Sequence, residues 1–289
     1  MRNIKKPVTP HPPVHPAAEP ADKAIPRLLE THGGLIYNLG LRMCGRPTDA
    51  EDLVQETFLR AFRKWEQFEG RSEPATWLYT IAVRACQRLK RRRAGQPQRM
   101  QSLAELLPDP EADEIPDLPA DHDGPLDQVL RREAQEAVQR ALTKLPPPFR
   151  MALLLKDIVE FSVEEVARVL GIKEATVKTR VHRGRLLLRK ELAKKLPKHK
   201  APPPDHEKQV CLHLLHAKQE ALDRGVEFPL AAGELCSRCQ SLFATLDLTH
   251  EICLNLKRGP LPEPLRHLLL QEFKHAGRAG GRRSARRSA

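Results

Sequence analysis

The residues of this chain that could do chemistry are a pair of cysteines at metal-ligand spacing and a cluster of basic side chains at helical spacing. Cys236 and Cys239 are separated by two residues, the spacing at which two thiolates bind one Zn²⁺ ion. One pair is half of a tetrahedral ligand set, so further ligands are expected, first Cys211 and then His213, His216 or Cys253. A redox-active thiol pair, or cysteines that only fill a core, are the alternatives.

The basic cluster lies in a helix-turn-helix pattern between Ser162 and Leu188. Ser162 and Glu165 form a predicted capping box for a first short helix, and Gly171 suits a tight turn with positive φ. A longer helix is expected to begin near Glu174. Its outward face would present groups able to contact bases and phosphates in a major groove: Thr176, Lys178, Thr179, Arg180, His182, Arg183 and Arg185. A basic, solvated helix without DNA contacts is the alternative.

A second helical block extends from Ile25 to Arg93. Thr48 to Glu51 is predicted to be a capping box, followed by an apolar face at helical spacing. The opposite face is expected to be polar, with Asp49, Asp52, Gln55, Glu56 and Arg60. Another helix is predicted to start near Pro74, because proline is tolerated in the first helical turn, and to continue into the basic residues 90–93.

Composition limits the classes of protein to consider. The 289 residues carry a formal charge of +12, which indicates a polyanionic partner. We find no apolar run long enough to span a bilayer and no secretory leader, and six cysteines in such a chain favour a reducing, cytoplasmic location. No carboxylate cluster, nucleophile signature or phosphate-binding glycine loop indicates an enzyme.

The charge is distributed unevenly along the chain. Residues 101–127 hold nine acidic residues and no lysine or arginine, which predicts a flexible linker. Between Phe161 and Lys200 the net charge is +8, from 12 basic residues and 4 glutamates. The expected organisation is a disordered proline-rich tail (1–23), a helical domain (24–96), the acidic linker (97–127), a helix-turn-helix domain (128–197), a cysteine-containing segment (205–275) and a basic tail (276–289). The fold class is therefore all-α, with two small helical domains and a small helical extension.

Two stretches together resemble one known family. Residues 49–62 (DAEDLVQETFLRAF) resemble the signature helix of bacterial RNA polymerase sigma factors, and residues 142–150 (LTKLPPPFR) with the helix-turn-helix resemble their fourth conserved region. Because only these two regions are present, the chain is similar to sigma-70 factors of the extracytoplasmic-function (ECF) type over about residues 25–196.

The resemblance implies roles for named residues. The helix bearing Asp49, Asp52, Gln55, Glu56 and Arg60 would bind the β′ subunit of core RNA polymerase, which also offers its β subunit as partner. The helix-turn-helix would read the minus-35 promoter element. The minus-10 element would be opened and held by Phe68, Trp77, Arg84, Arg88, Arg91 and Arg92. Packing in the core is the alternative for Trp77, and Arg84 and Arg88 stand where many relatives have Asn and Asp.

The segment after residue 205 is similar to zinc-binding anti-sigma domains, although Ala232 stands where their histidine usually lies. The leading interpretation is a non-enzymatic sigma factor whose C-terminal extension regulates it, with zinc as its only candidate cofactor. A separate anti-sigma factor is a further candidate partner. The alternative is a metal- or redox-sensing helix-turn-helix regulator that does not bind core polymerase. The acidic linker could mimic nucleic acid in the polymerase channel or serve only as a tether.

Overall fold

The computed structural model describes residues 19–91, 114–116, 136–194, 198–200, 205–230, 235–256 and 259–285. Almost all of these residues are helical, which confirms the predicted all-α class. The helices are α1 (Ala21–Cys44), α2 (Pro47–Lys64), α3 (Pro74–Arg91), α4 (136–144), α5 (Pro147–Leu153), α6 (Val163–Leu170), α7 (Glu174–Ala193), α8 (Lys208–Arg224), α9 (Ser237–Asn255) and α10 (Glu263–Ala285). A 3₁₀ turn (Trp65–Gln67) follows α2, and a π-helical turn (Leu154–Ile158) follows α5.

Helices α1 to α3 form the N-terminal unit. Helix α1 ends at Gly45, whose φ of 79° lets its N–H reach the carbonyl of Leu41. The predicted capping box at Thr48 is wrong, because α2 already begins at Pro47 and its N-cap is Arg46. Proline at the first helical position lacks only an N–H that would have no intrahelical acceptor, so it starts the helix one residue before the expected cap. The predicted start of the next helix at Pro74 is confirmed.

The two tails and the linker differ in part from expectation. Helix α1 begins at Ala21, inside the stretch predicted as a tail, while residues 1–18 lie outside the described residues. In the acidic linker, β1 (Glu114–Pro116) pairs antiparallel with β2 (Lys198–Lys200), and Glu114 stands opposite Lys200. The rest of the linker lies outside the described residues. Helix α10 continues to Ala285, so the basic tail expected from residue 276 is helical for most of its length.

Helices α4 to α7 form the helix-turn-helix unit, which packs on the N-terminal unit. Tyr79 of α3 meets Phe161 edge to face, with ring centroids 5.0 Å apart. Arg150 of α5 donates from Nη1 to the carbonyl oxygen of Met43 at 2.9 Å, so one buried guanidinium reaches from the second unit into the first. A single apolar core therefore runs through both units.

Helices α8 to α10 form the C-terminal segment, which lies against both units. Leu261, Leu265, Leu269 and Phe273 are buried in the same core as α1 and α2. Phe273 stacks on Phe62 of α2 with parallel rings 5.4 Å apart, an arrangement that adds about 0.5–1.5 kcal/mol to the area it buries. A second cluster packs Leu186 of α7 with residues of α8, of α9 and of the two positions before α9: Leu215, Leu235, Cys236, Cys239, Leu242, Phe243 and Leu246. No helix in the described ranges is long and apolar enough to cross a membrane.

One buried hydroxyl gives a test of this packing. Tyr79 is 1% exposed, and its hydroxyl has no hydrogen-bond partner among the described residues. We expect Tyr79→Phe to raise the free energy of unfolding by about 1 kcal/mol, because an unsatisfied buried polar group costs about 1–3 kcal/mol. Chemical denaturation measures the change. Tyr37→Phe, at the only other tyrosine, is the control, and a destabilised Tyr79→Phe would contradict the described packing.

Candidate nucleic-acid interface

The turn between α6 and α7 has the predicted geometry. Ser162 Oγ accepts a hydrogen bond from the N–H of Glu165 at 3.1 Å, and the Ser162 N–H donates to Glu165 Oε2 at 2.8 Å. This confirms the capping box. Gly171 ends α6 with φ of 65°, a left-handed conformation that glycine adopts without strain. Helix α7 then begins at Glu174, as predicted.

The inner face of α7 packs closely on α5. Val177, Val181 and Leu188 are buried, in agreement with the predicted inner face. Gly184 stands at the closest approach, where an added Cβ would lie 3.2 Å from the carbonyl oxygen of Phe149 and 3.3 Å from Leu153 Cβ. The small residue therefore lets the two helices meet, and it sets which side of α7 faces away from the core.

The prediction that Arg185 lies on the outward face is wrong. Arg185 is 2% exposed and binds Asp157 of the π-helical turn through two hydrogen bonds, Nε to Oδ2 at 2.9 Å and Nη2 to Oδ1 at 2.6 Å. Its Nη1 donates to Asp223 of α8 at 2.7 Å. A planar guanidinium matches a carboxylate in this paired geometry, so an acidic residue 28 positions away draws Arg185 inward.

Electrostatics favour the ionised forms of this group. Burial alone would raise the pKa of Asp157, but the charge and hydrogen bonds of Arg185 outweigh burial and hold that pKa well below its usual range. Burial would likewise lower the pKa of Arg185, and the charges of Asp157 and Asp223 raise it instead. The cluster is therefore a buried, paired set of charges, which is stable only as long as each member keeps a partner.

Helix α8 lies against the side of α7 that carries Lys178, His182 and Arg185. His182 Nε2 lies 2.9 Å from Asp223 Oδ2, and Lys178 Nζ lies 2.9 Å from both carboxylate oxygens of Glu220. The amide of Gln219 donates to the carbonyl oxygen of His182 at 3.2 Å. The predicted DNA-contacting side chains consequently differ in access: Thr179 is exposed, Thr176, Lys178, Arg180 and Arg183 are half-buried, and His182 and Arg185 are buried.

Sequence reasoning missed Gln219, Glu220 and Asp223 as members of this site. Nothing in the local pattern of α8 marks them, because their partners lie about forty residues earlier on α7. Single ligand atoms of His182, Glu220 and Asp223 lie within 4.8 Å of one another, close enough to hold a metal ion. The carboxylate of Glu220 already binds Lys178, and that of Asp223 binds Arg185, so the three residues belong to an ion-pair cluster.

The residues predicted to hold the minus-10 element lie in and around the N-terminal unit's core. Phe68 is 3% exposed and packs on Trp65 and Trp77, with ring centroids 5.4 and 5.2 Å away. Trp77 is half-buried in the same aromatic group, as its core-packing alternative expects. Arg84 is exposed, whereas Arg88 Nη2 binds Glu56 Oε1 at 2.5 Å.

One more of the predicted minus-10 residues, Arg91, is the last residue of α3. The other, Arg92, lies outside the described residues.

The predicted polymerase-binding residues share one side of α2, with one exception. Asp52 is exposed, and Gln55, Glu56 and Arg60 are half-buried. Asp49, in contrast, is 4% exposed, and its carboxylate accepts from Arg46 Nε at 3.2 Å. The prediction that Asp49 lies on the polar face is wrong, because its position in the first turn points it at the residue that caps the helix.

Cys239 lies near two of the other three candidate metal-binding cysteines. Burial, followed by the thiols of Cys236 and Cys211, raises the pKa of the Cys239 thiol, although the three Sγ atoms do not all lie within 4.8 Å of one another. Cys236 is the N-cap of α9, so the Cys-x-x-Cys pair lies at the start of a helix. Cys253 lies in the other apolar core, where burial and then Asp157 raise its pKa, so the structure separates it from the three.

Comparison with known proteins agrees with this architecture. Sigma-70 region 2 matches residues 28–96, and Sigma-70, region 4 matches residues 135–188, so neither match reaches the C-terminal segment. The ECF RNA polymerase sigma factor SigW of Bacillus subtilis is 35% identical over 57% of this chain and 87% of its own length. The ECF RNA polymerase sigma factor SigE of Mycolicibacterium smegmatis is 38% identical over 58% of this chain, and the matched part covers 61% of the length of SigE.

A solved structure is also similar. The sigma factor RpoE of Bartonella quintana, in complex with the anti-sigma factor NepR, shares 25% identity over 60% of this chain and 99% of its own, with a TM-score of 0.44. Together with the helix-turn-helix geometry, the sequence relatives show that this chain belongs to the ECF sigma factors of the sigma-70 family.

The buried ion pair between Asp157 and Arg185 should make the stability of the protein depend on pH. Because the pKa of Asp157 is lower in the folded than in the unfolded chain, its ion pair contributes full stability above an ordinary aspartate pKa of about 3.9 and loses it as the pH falls further. We expect Asp157→Asn to lower the free energy of unfolding at neutral pH by about 3 kcal/mol, since removing one partner leaves a buried charge.

Denaturation of both forms at several pH values measures this effect, and the difference between them should shrink as the solution becomes more acidic. Glu164→Gln, which removes an exposed ion pair with Arg168, should change stability by less than about 1 kcal/mol. An Asp157→Asn variant as stable as the wild type at neutral pH would show that the pair is not formed.

Proposed function

We propose that this chain is a promoter-specificity subunit that binds core RNA polymerase through its β and β′ subunits and directs transcription initiation in the cytoplasm. Helix α7 reads the minus-35 element, and α3 with the aromatic group at its start holds the opened minus-10 element. The chain contributes recognition and carries out no catalytic step of its own. The observation that supports this most is the match of both sigma regions, in order, to the two units that carry these helices.

The surface of α2 supports the polymerase-binding role. Its buried side, with Leu53, Val54 and Phe58, faces the core, so the helix cannot rotate to hide its polar side. Asp52 is exposed on that polar side. A conventional helix-turn-helix regulator, the alternative function, has no need of a polymerase-binding helix in a separate unit.

Asp52→Arg tests the assignment. We expect it to weaken binding to core polymerase at least about tenfold, because reversing a charge at a complementary contact costs more than about 1.4 kcal/mol. Binding of short duplex DNA should not change. Fluorescence anisotropy of the labelled chain with purified core polymerase measures the first quantity.

Two variants serve as controls for this test. Glu164→Arg makes the same charge change on α6, outside the polymerase-binding surface, and should bind core polymerase as the wild type does. Arg183→Ala should weaken DNA binding by about 1–3 kcal/mol without changing core binding. A wild-type chain that does not bind core polymerase would favour the alternative, a regulator that acts on DNA alone.

We also propose that the C-terminal segment binds one zinc ion through Cys211, Cys236 and Cys239. The support is that the Cys239 thiol interacts with those of both Cys236 and Cys211, which brings the start of α8 near the start of α9. Zinc takes thiolates in preference to thiols, so binding would displace the protons that the raised pKa of Cys239 now favours. A raised pKa also argues against a redox-active pair, which needs an accessible thiolate.

Metal analysis of the purified full-length chain tests this proposal. We expect a zinc content near one ion per chain, and its loss in Cys239→Ser, because two remaining thiols make an incomplete site. Cys44→Ser, in the N-terminal unit, is the matched control and should retain zinc. A wild-type chain that retains no zinc after dialysis against a zinc-containing buffer would contradict the proposal.

A further inference from the structure

The C-terminal segment lies on the face of α7 that the proposed function assigns to promoter DNA. Of the side chains predicted to contact DNA, Lys178, His182 and Arg185 each bind an acidic residue of α8. Beyond them, Arg189 Nε donates to Thr245 Oγ1 of α9 at 2.9 Å. The contacts therefore follow α7 for about three turns, from Lys178 to Arg189.

The groups that α8 offers are chemically similar to those of a nucleic acid backbone. Glu220 presents two anionic oxygens to one ammonium, and Asp223 presents one oxygen to an imidazole and the other to a guanidinium. Lysine and arginine bind phosphate oxygens in the same way, through charge-assisted hydrogen bonds. An anion on the DNA and a carboxylate of α8 would thus compete for the same donor atoms.

Steric overlap adds to this competition. A major groove admits a single α-helix, being about 12 Å wide and about 8.5 Å deep. Helix α7 cannot enter it while α8 and α9 cover one side, where Lys178 is half-buried and His182 is 8% exposed. DNA reading by this face and the described packing of α8 therefore exclude each other.

The segment also holds the two DNA-binding units together. Arg266 of α10 binds Glu30 of α1, with Nη2 2.7 Å from Oε1, while α9 packs on α7. Asn38 of α1 donates to the carbonyl oxygen of Gly259 at 2.9 Å, just before α10. Promoter elements at positions minus 35 and minus 10 are about 25 base pairs apart, or about 85 Å at about 3.4 Å per base pair. Two units that share one core do not span that distance.

We infer that helices α8 to α10 are an inhibitory module within this chain, which masks α7 with a phosphate-like carboxylate surface and keeps the two promoter-binding units packed together. This inference rests on the proposed role of α7 as a DNA reader. The occupant of the DNA-reading face is therefore residues 208–285 of the same chain, and promoter DNA must displace α8 to bind. Asp52 stays exposed in the masked form, so core polymerase can bind before the module opens.

A full-length variant tests the masking. Glu220→Gln with Asp223→Asn removes both carboxylates, and its control, Glu227→Gln with Glu251→Gln, makes the same net charge change at exposed positions of the same segment. We measure binding of each to a short fluorescein-labelled DNA duplex of mixed sequence at one salt concentration. The first variant should bind about tenfold more tightly than the control, which corresponds to about 1.4 kcal/mol.

Hydrogen exchange of the unmodified chain gives a second readout that does not depend on how a variant folds. Excess duplex should increase amide exchange in α8 (Lys208–Arg224) while it decreases exchange in α7, because opening and binding are linked. Equal DNA affinity of the two variants, including no binding by either, would overturn the inference. The inference would also be overturned if DNA slowed amide exchange in α7 while exchange in α8 stayed as slow as before.

Failure of the masking test and failure of the proposed function have different signatures. Binding to core polymerase is measured separately through Asp52, which the module leaves exposed. A chain that binds core polymerase but shows no masking keeps its sigma function and loses only the inhibitory module.

Discussion

The position of one guanidinium determines much of this structure. Arg185 is buried, and an unpaired charge in that position would cost several kcal/mol. Its N–H groups therefore need hydrogen-bond acceptors. Asp157 satisfies it from within the helix-turn-helix unit, and Asp223 satisfies it from the C-terminal segment. The first pair fixes the orientation of α7 on its own unit. The second pair, with Asp223, can be broken at lower cost, since Arg185 keeps the bidentate pair with Asp157 when α8 moves away.

Two other buried arginines link the units by the same physical means. Arg150 donates to the carbonyls of Leu145 and Thr143 in its own unit and to Met43 in the N-terminal unit. Arg42 donates to the carbonyl of Leu256, at the C-terminal end of α9, and burial lowers its pKa to about 10. Backbone carbonyls at helix ends lack intrahelical donors, so a guanidinium from a neighbouring unit is a suitable partner for them.

Local features of the structure follow directly from the sequence. The capping box at Ser162, the left-handed Gly171 and the proline that starts α3 depend on neighbouring residues, and each has the predicted form. The errors concern distant partners. Whether Arg185 points outward depends on Asp157. The periodicity of α7 alone cannot show that this acidic residue lies on the inner side of the helix.

In the C-terminal segment, too, the local features follow from the sequence and the contacts between distant residues do not. Its Cys-x-x-Cys spacing singles out Cys236 and Cys239, which lie at the start of α9, with Cys211 nearby and Cys253 in the other core. The carboxylates of Glu220 and Asp223 look like ordinary surface residues of a helix until α7 is placed beside them. Their function is a property of an interface between segments distant in the chain, for which one sequence carries no local signal.

Inhibition by the C-terminal segment requires that the carboxylates of α8 and promoter DNA compete for the same face of α7. The most direct measurement is a structure of this chain bound to core polymerase and promoter DNA. In that complex we expect Arg185 to retain its pair with Asp157, its pair with Asp223 to be broken, and α7 to lie in the major groove. A structure in which α7 contacts the minus-35 element while Glu220 and Asp223 still bind Lys178 and Arg185 would contradict it.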